Sequence, residues 1–144
     1  MHQLHWEAIE RVKKRTDEPA IDTIIDVAEI IRAHDKIIRR YGGEKGILNR
    51  GELEFAAGWI KSNPKRSAIW KAAILMRGIV CGHPFVDGNK RTGLTMAEAL
   101  LDWYGYGLAA PQEKVRDFAL SVAIEGWSVE RIVAWLKDNV AKKR

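Results

Sequence analysis

The sequence predicts an all-α fold, and three observations predict it. Apolar residues recur at three- and four-residue spacing through most of the chain, period-2 alternation is scarce, and glycines and prolines punctuate the helical stretches. The 144 residues are about one domain's worth, and a 47% hydrophobic content supplies a real core. A single domain over residues 1–144 is therefore expected. No apolar run approaches the roughly 18 residues of a membrane-spanning helix. Met1–Lys14 lacks the apolar stretch of a secretory signal, so a cytoplasmic location without a membrane partner is expected. One cysteine, Cys81, leaves no disulfide framework and no Cys-based metal site. The formal charge of +5 permits acidic partners without requiring them. Part of it lies in Lys142-Lys143-Arg144, which reads as a solvated tail.

The first helix is expected over Ile21–Arg40, with Ile24, Val27, Ala28, Ile31 and Ile38 on one face. Tyr41-Gly42-Gly43 stops it, and the Gly-rich stretch Gly42–Gly51 (GGEKGILNRG) follows as an exposed loop or flap. Glu52–Lys61 is a short helix broken at Ser62-Asn63-Pro64. Ser67–Gly82 is apolar around most of its circumference, as a central helix of a bundle should be. Another helix runs from about Asn89 to Trp103, with Leu94, Ala97, Leu101 and Tyr104 in register and Met96 and Leu100 widening the face. Tyr104–Pro111 (YGYGLAAP) reads as a turn region. Val115, Phe118, Ala119 and Val122 then mark one helix, and Ile132, Val133, Leu136 and Val140 another, with Ser128 as N-cap of the second.

The join between the two most apolar helices, His83 to Gly93, is dense in functional side chains. Pro84 cannot continue the preceding helix, and Gly88 has access to backbone angles closed to other residues. A loop opening into a helix at Gly88–Asn89 presents unpaired N–H groups and the positive end of the helix dipole. Lys90 and Arg91 in the first turn oppose that dipole, which makes sense if they clamp an anion. Phosphate is the natural one, with Arg as a bidentate fork and Lys as a point charge. His83 is a candidate general base, since its ordinary pKa of about 6.5 suits proton transfer near neutrality. Asp87 is a candidate hard oxygen ligand for Mg²⁺. Phe85, between polar neighbours, reads as the anchor that fixes the loop in the core, and Thr92 and Gly93 as residues serving helix geometry.

His83–Arg91, HPFVDGNKR, resembles the active-site loop of the Fic/Doc family, whose pattern is His-x-Phe-x-Asp/Glu-Gly-Asn followed by a basic pair. The resemblance also takes in His34-Asp35, Arg40-Tyr41-Gly42-Gly43, Gly51-Glu52-Leu53-Glu54 and Ala134-Trp135-Leu136, so that Ile21 to the end is similar to one domain of the Doc (death-on-curing) toxin branch. Residues 1–20 form an extension outside it. The resemblance implies a compact helical bundle, with the active-site loop between two central buried helices and an exposed flap. In that bundle His83 would be the base, Asp87 the Mg²⁺ ligand, and Gly88, Asn89, Lys90 and Arg91 the ATP phosphate cradle. The flap residues Gly43, Gly46, Ile47, Leu48, Asn49 and Arg50 would dock the protein target.

Fic proteins that transfer AMP resemble each other in having Gly after the Asn and a second Arg three positions after the first. This chain has Lys90 and Leu94 there, as Doc proteins do. The resemblance then implies a reversed ATP, with the γ-phosphate passed to a Ser or Thr hydroxyl of a translation factor such as elongation factor Tu. It also implies a Phd-like antitoxin as partner. AMP transfer is the alternative reaction. In the flap, Leu48-Asn49 stand where Doc sequences often have Arg-Asp.

Competing readings are weaker. Ser121-x-x-x-Glu125-Gly126 is similar to the inhibitory motif of self-restrained Fic proteins, but Leu94 removes the Arg its Glu would pair with, leaving ordinary helix-end residues. His34-Asp35 suggests an HD-type metal phosphohydrolase, with His2 or His5 as a further ligand. His34, however, falls on an apolar face where a hydrogen-bonded core histidine belongs. Most of the six tryptophans sit at core spacing rather than as a base-stacking platform, which speaks against nucleic acid. A non-catalytic binding module would not need the intact His, Asp, Asn, Lys and Arg set.

Overall fold

The computed structural model describes residues 25–143. Six helices and a two-stranded ribbon make up the described chain. Helix α1, Val27–Tyr41, opens on Asp26, whose carboxylate accepts the Glu29 N–H at 2.8 Å. Its buried face is Ile30, His34, Ile37 and Ile38, whereas Ala28 is exposed. Of the predicted stripe, Ile38 is buried, Val27 and Ile31 pack half-buried against the core, and only Ala28 departs from it. The helix is amphipathic, with Arg32, Lys36, Arg39 and Arg40 exposed, but periodicity alone does not settle which of its adjoining apolar rows lies deepest. The predicted start at Ile21, together with Ile24, Trp6, His2 and His5, lies outside the described residues.

Helix α2, Arg50–Ser62, sends Leu53, Ala56 and Ile60 inward. Helix α3, Ala68–Val80, is the central one. Ser67 caps it by accepting the Trp70 N–H, and nine of its residues are buried. One of those nine is Lys71, which the sequence reading passed over. Its ammonium donates to the Pro64 carbonyl at 2.9 Å and to the Tyr104 hydroxyl at 3.1 Å, so the stem packs as a hydrocarbon while the head stays bonded.

Helix α4, Asn89–Trp103, lies along α3. The close approach requires Gly93, where a Cβ would stand 2.5 Å from Val80 Cγ2. Helices α5, Gln112–Glu125, and α6, Val129–Asn139, complete the bundle. Phe118 of α5 stacks on Trp135 of α6 at 3.8 Å and meets Trp127 edge-on. Ser128 caps α6 as expected, accepting the Arg131 N–H at 3.2 Å. Trp59, Trp70, Trp103, Trp127 and Trp135 all pack against the core, as their spacing predicted.

One expectation is corrected and another refined. Tyr104–Pro111 is not simply a turn: Tyr106–Leu108 forms strand β1, antiparallel to β2, Val140–Lys142, in the register Tyr106↔Lys142. Of the basic tail, Lys142 and Lys143 are exposed as expected but not loose, for the Lys143 N–H donates to the Gly105 carbonyl and its ammonium pairs with Asp102 at 2.7 Å; Arg144 lies outside the described residues. Three-residue strands are too short for alternation to register in a sequence. No helix among the described residues is long and apolar enough to cross a membrane.

Candidate active site

The loop between α3 and α4 is held by two devices from different parts of the chain. Phe85, 1% exposed, stacks its ring on that of His34 at 3.7 Å and 6°. The Asn89 side chain then brackets Phe85, accepting its N–H at 3.0 Å and donating to its carbonyl at 2.9 Å. His34 donates from Nε2 to the Asp87 carbonyl at 2.7 Å, which fixes the tautomer and commits that nitrogen. Phe85 is thus buried beneath the loop against His34, which is itself a hydrogen-bonded core histidine. Among the described residues no group of three or more side chains is placed to hold a metal ion by itself.

Gly88 is the N-cap of α4 in the left-handed conformation, φ +82°, and no side chain caps the helix. A Cβ there would lie 3.2 Å from Ile38 and 3.5 Å from the His34 ring, so both the angle and the space call for glycine. The open N–H groups of the first turn face a cavity of about 760 Å³, within the roughly 300–1,000 Å³ usual for ligand sites. Asp87, Gly88, Asn89, Lys90 and Arg91 all line it. Asn89 contributes through its backbone, since its side chain is occupied with Phe85. Arg91 lies over the Tyr41 ring at 3.8 Å, a cation–π contact that orders the guanidinium. No ion pair engages Lys90 or Arg91 among the described residues, so both charges are available to an anion.

The Asp87 carboxylate accepts the Glu44 N–H through Oδ2 at 2.8 Å, leaving its other oxygen as one hard donor. Mg²⁺ is commonly held by one or two carboxylates with phosphate oxygens and water, so this donor set fits such an ion once phosphate is bound.

His83 stands apart. It is exposed, outside the cavity wall, and carries φ +47°, the single positive φ outside glycine in the described chain. Such an angle marks a place where the surroundings dictate the backbone. The flap crosses beside it: the N–H groups of Leu48 and Asn49 donate to the Pro84 carbonyl at 2.7 and 3.1 Å, and the Val86 N–H donates to Gly46. Ile47 and Phe85 form an antiparallel bridge. Gly43, Gly46, Ile47, Leu48 and Asn49 are in this exposed flap. Arg50 is instead the first residue of α2, with its guanidinium on Glu54 at 3.6 Å.

Tyr41, Leu94, Arg116, Asp117 and Leu120 complete the cavity wall. The sequence reading missed α5 here. Exposed Leu120, one turn after Arg116, was the available signal, but nothing local says what α5 faces. Glu125 serves elsewhere, bound by the Trp127 indole N–H and Arg131, as expected of a helix-end residue. Burial raises the Cys81 thiol, the Tyr106 phenol and the Glu98 carboxyl above their ordinary values, with Lys143 opposing the shift at Glu98.

A family model described as the Fic/DOC family matches residues 24–101, which span α1, the flap, the site loop and α4 as far as Leu101. No curated protein matches the chain.

Proposed function

The chain belongs to the Fic/DOC family, and from that premise we propose that it is a Doc-type toxin that transfers the γ-phosphate of ATP to a Ser or Thr hydroxyl of a protein. The observation that carries this reading is the uncapped N-terminus of α4, with unpaired Lys90 and Arg91 at its first turn and Leu94 one turn on. The open N–H groups and both cations would hold the terminal phosphates, while Leu94 offers nothing to a phosphate farther along the helix.

In the proposed step the target hydroxyl approaches across the exposed surface of the flap and the loop paired to it. His83, exposed and outside the cavity wall, would accept the hydroxyl proton as oxygen bonds to the γ-phosphorus. The bond from that phosphorus to the bridging oxygen breaks, and ADP leaves. Mg²⁺ on Asp87 would neutralise charge on the phosphates. Lys90, Arg91 and the helix N-terminus stabilise the charge that moves toward the leaving group. The flap backbone, already paired to the loop, would set the height at which the target segment lies. A translation factor such as elongation factor Tu as target, a Phd-like antitoxin as inhibitor and a cytoplasmic setting belong to the same proposal.

The test is label transfer to cell extract and to purified elongation factor Tu, using ATP labelled at the γ- or the α-phosphate. Label from γ alone, abolished by His83→Ala with the fold intact, is the expected result. Label from α would mean AMP transfer and would overturn the argument from Lys90 and Leu94.

A further inference from the structure

Tyr41, the last residue of α1, is 55% exposed and stands outside the core. Its ring nonetheless has a definite partner, for the Arg91 guanidinium of α4 lies over it at 3.8 Å from the centroid. Arg40 is farther off at 5.6 Å and does not line the cavity, whereas Tyr41 and Arg91 both do. The chain fixes this ring from both sides. At the helix end the Gly42 N–H donates to the Ile38 carbonyl at 2.8 Å. One residue on, a Cβ at Gly43 would stand 3.2 Å from the Asp87 Cβ, and the Glu44 N–H donates to the Asp87 carboxylate at 2.8 Å. Gly42 and Gly43 carry φ of +89° and +117°, so the chain turns directly from the ring onto the active-site loop. The Tyr41–Glu44 stretch thus braces Arg91 through a ring face and Asp87 through a backbone N–H.

The kind of partner matters. A carboxylate would hold the guanidinium by neutralising its charge and occupying its N–H groups. A ring face holds the guanidinium plane and leaves the charge and the N–H groups at its rim free for an anion. A flexible arginine loses rotamer freedom when it grips a ligand, and one already stacked has given up part of that freedom in advance. We propose that Tyr41 is the positioning residue for Arg91, presenting its guanidinium to a phosphate without touching the phosphate itself. The inference rests on reading Arg91 as part of the phosphate site, and it adds a residue of α1 that sets the orientation of that cation. A cation–π contact of the usual strength corresponds to about two- to thirtyfold in affinity.

Calorimetric titration of the full chain with inorganic tripolyphosphate and Mg²⁺ tests it, on the wild type, Tyr41→Phe, Tyr41→Leu, Arg91→Gln and the variant carrying both Tyr41→Leu and Arg91→Gln. Tyr41→Leu should weaken binding about threefold or more, and Tyr41→Phe, which keeps the ring face, should lose far less. In the Arg91→Gln background Tyr41→Leu should change affinity less than about twofold, because the ring then has no guanidinium to hold. A merely structural ring would instead weaken binding equally in both backgrounds. Should Arg91→Gln bind too weakly to titrate, the comparison of Tyr41→Phe with Tyr41→Leu still decides the matter. Three results would overturn the inference and leave the phosphate site standing. They are a Tyr41→Leu protein that binds as tightly as the wild type, a Tyr41→Phe protein that loses as much as Tyr41→Leu, and a loss that persists undiminished without Arg91. A wild type that binds no tripolyphosphate, or an Arg91→Gln protein as tight as the wild type, would overturn the phosphate reading itself.

Discussion

His34→Phe isolates the bond that ties α1 to the active-site loop. The substitution keeps a planar ring of similar size against Phe85, where the stack is 3.7 Å, and removes the N–H that reaches the Asp87 carbonyl at 2.7 Å together with the longer 3.5 Å contact from Nδ1 to the Asp35 carboxylate. His34 is 1% exposed but Asp87 is exposed and their bond is part-buried, so water replaces the lost donor only in part. A polar group stranded in this way costs about 1–3 kcal/mol. At about 4 °C per kcal/mol for a chain of this size, the melting temperature should fall by roughly 4–12 °C. His34→Ala also loses the stacking, worth about 0.5–1.5 kcal/mol, and leaves a void, for a total of about 3–5 kcal/mol. Urea and thermal unfolding read the stabilities. Label transfer, measured where His34→Phe is still folded, should drop at least tenfold, because the freed carbonyl no longer fixes the Asp87 carboxylate. A His34→Phe protein within about 0.5 kcal/mol of wild type and fully active would refute the reasoning.

Three further expectations test the packing and the titration. The Thr92 hydroxyl is buried without a hydrogen-bond partner among the described residues, so Thr92→Val should raise stability by about 1 kcal/mol in urea titration. A loss of that size would mean the hydroxyl is bonded. Gly93→Ala places a methyl 2.5 Å from Val80 Cγ2 and should cost about 1–3 kcal/mol despite alanine's better helix propensity. Adding Val80→Ala should recover part of that loss, and strict additivity of the two would count against the clash. Cys81 and Tyr106 are held above their ordinary values of 9.0 and 10.0 by burial, so the folded state retains protons that the unfolded chain releases. Stability should therefore be intact below about pH 9 and fall as the pH rises through the folded values. Cys81→Ala should remove the first part of that fall, and a urea midpoint that rises between pH 8 and 10 would contradict the sign.

The helices were legible where a local signal exists. Ser67 and Ser128 announce their helices, and the apolar girdle of α3 announces its central place. The break between α3 and α4 was legible for the same reason, since Pro84 and Gly88 are local signals. What escaped was tertiary. Which apolar row of α1 lies deepest depends on which of its residues meet α4, and burial of Lys71 depends on Pro64 and Tyr104 arriving at its ammonium. Strand β1 depends on a partner at the far end of the chain, and Arg116 joins the site only because α5 folds back over α4. No spacing rule connects residue 91 to residue 116.

The β1–β2 ribbon closes residues 109–139 into a loop whose two ends meet, with α5 and α6 inside it. Opening the ribbon would therefore loosen the segment that provides one wall of the cavity, while α3 and α4 keep most of their mutual contact. Two short strands of marginal stability on their own thus act as a clasp on a cooperative unit. Any ligand that bridges α4 and α5 must tighten that clasp by as much as the clasp favours the ligand, because the two equilibria are linked. In this bundle the chain's C-terminal end is a latch on the cavity, some distance from the chemistry but not independent of it.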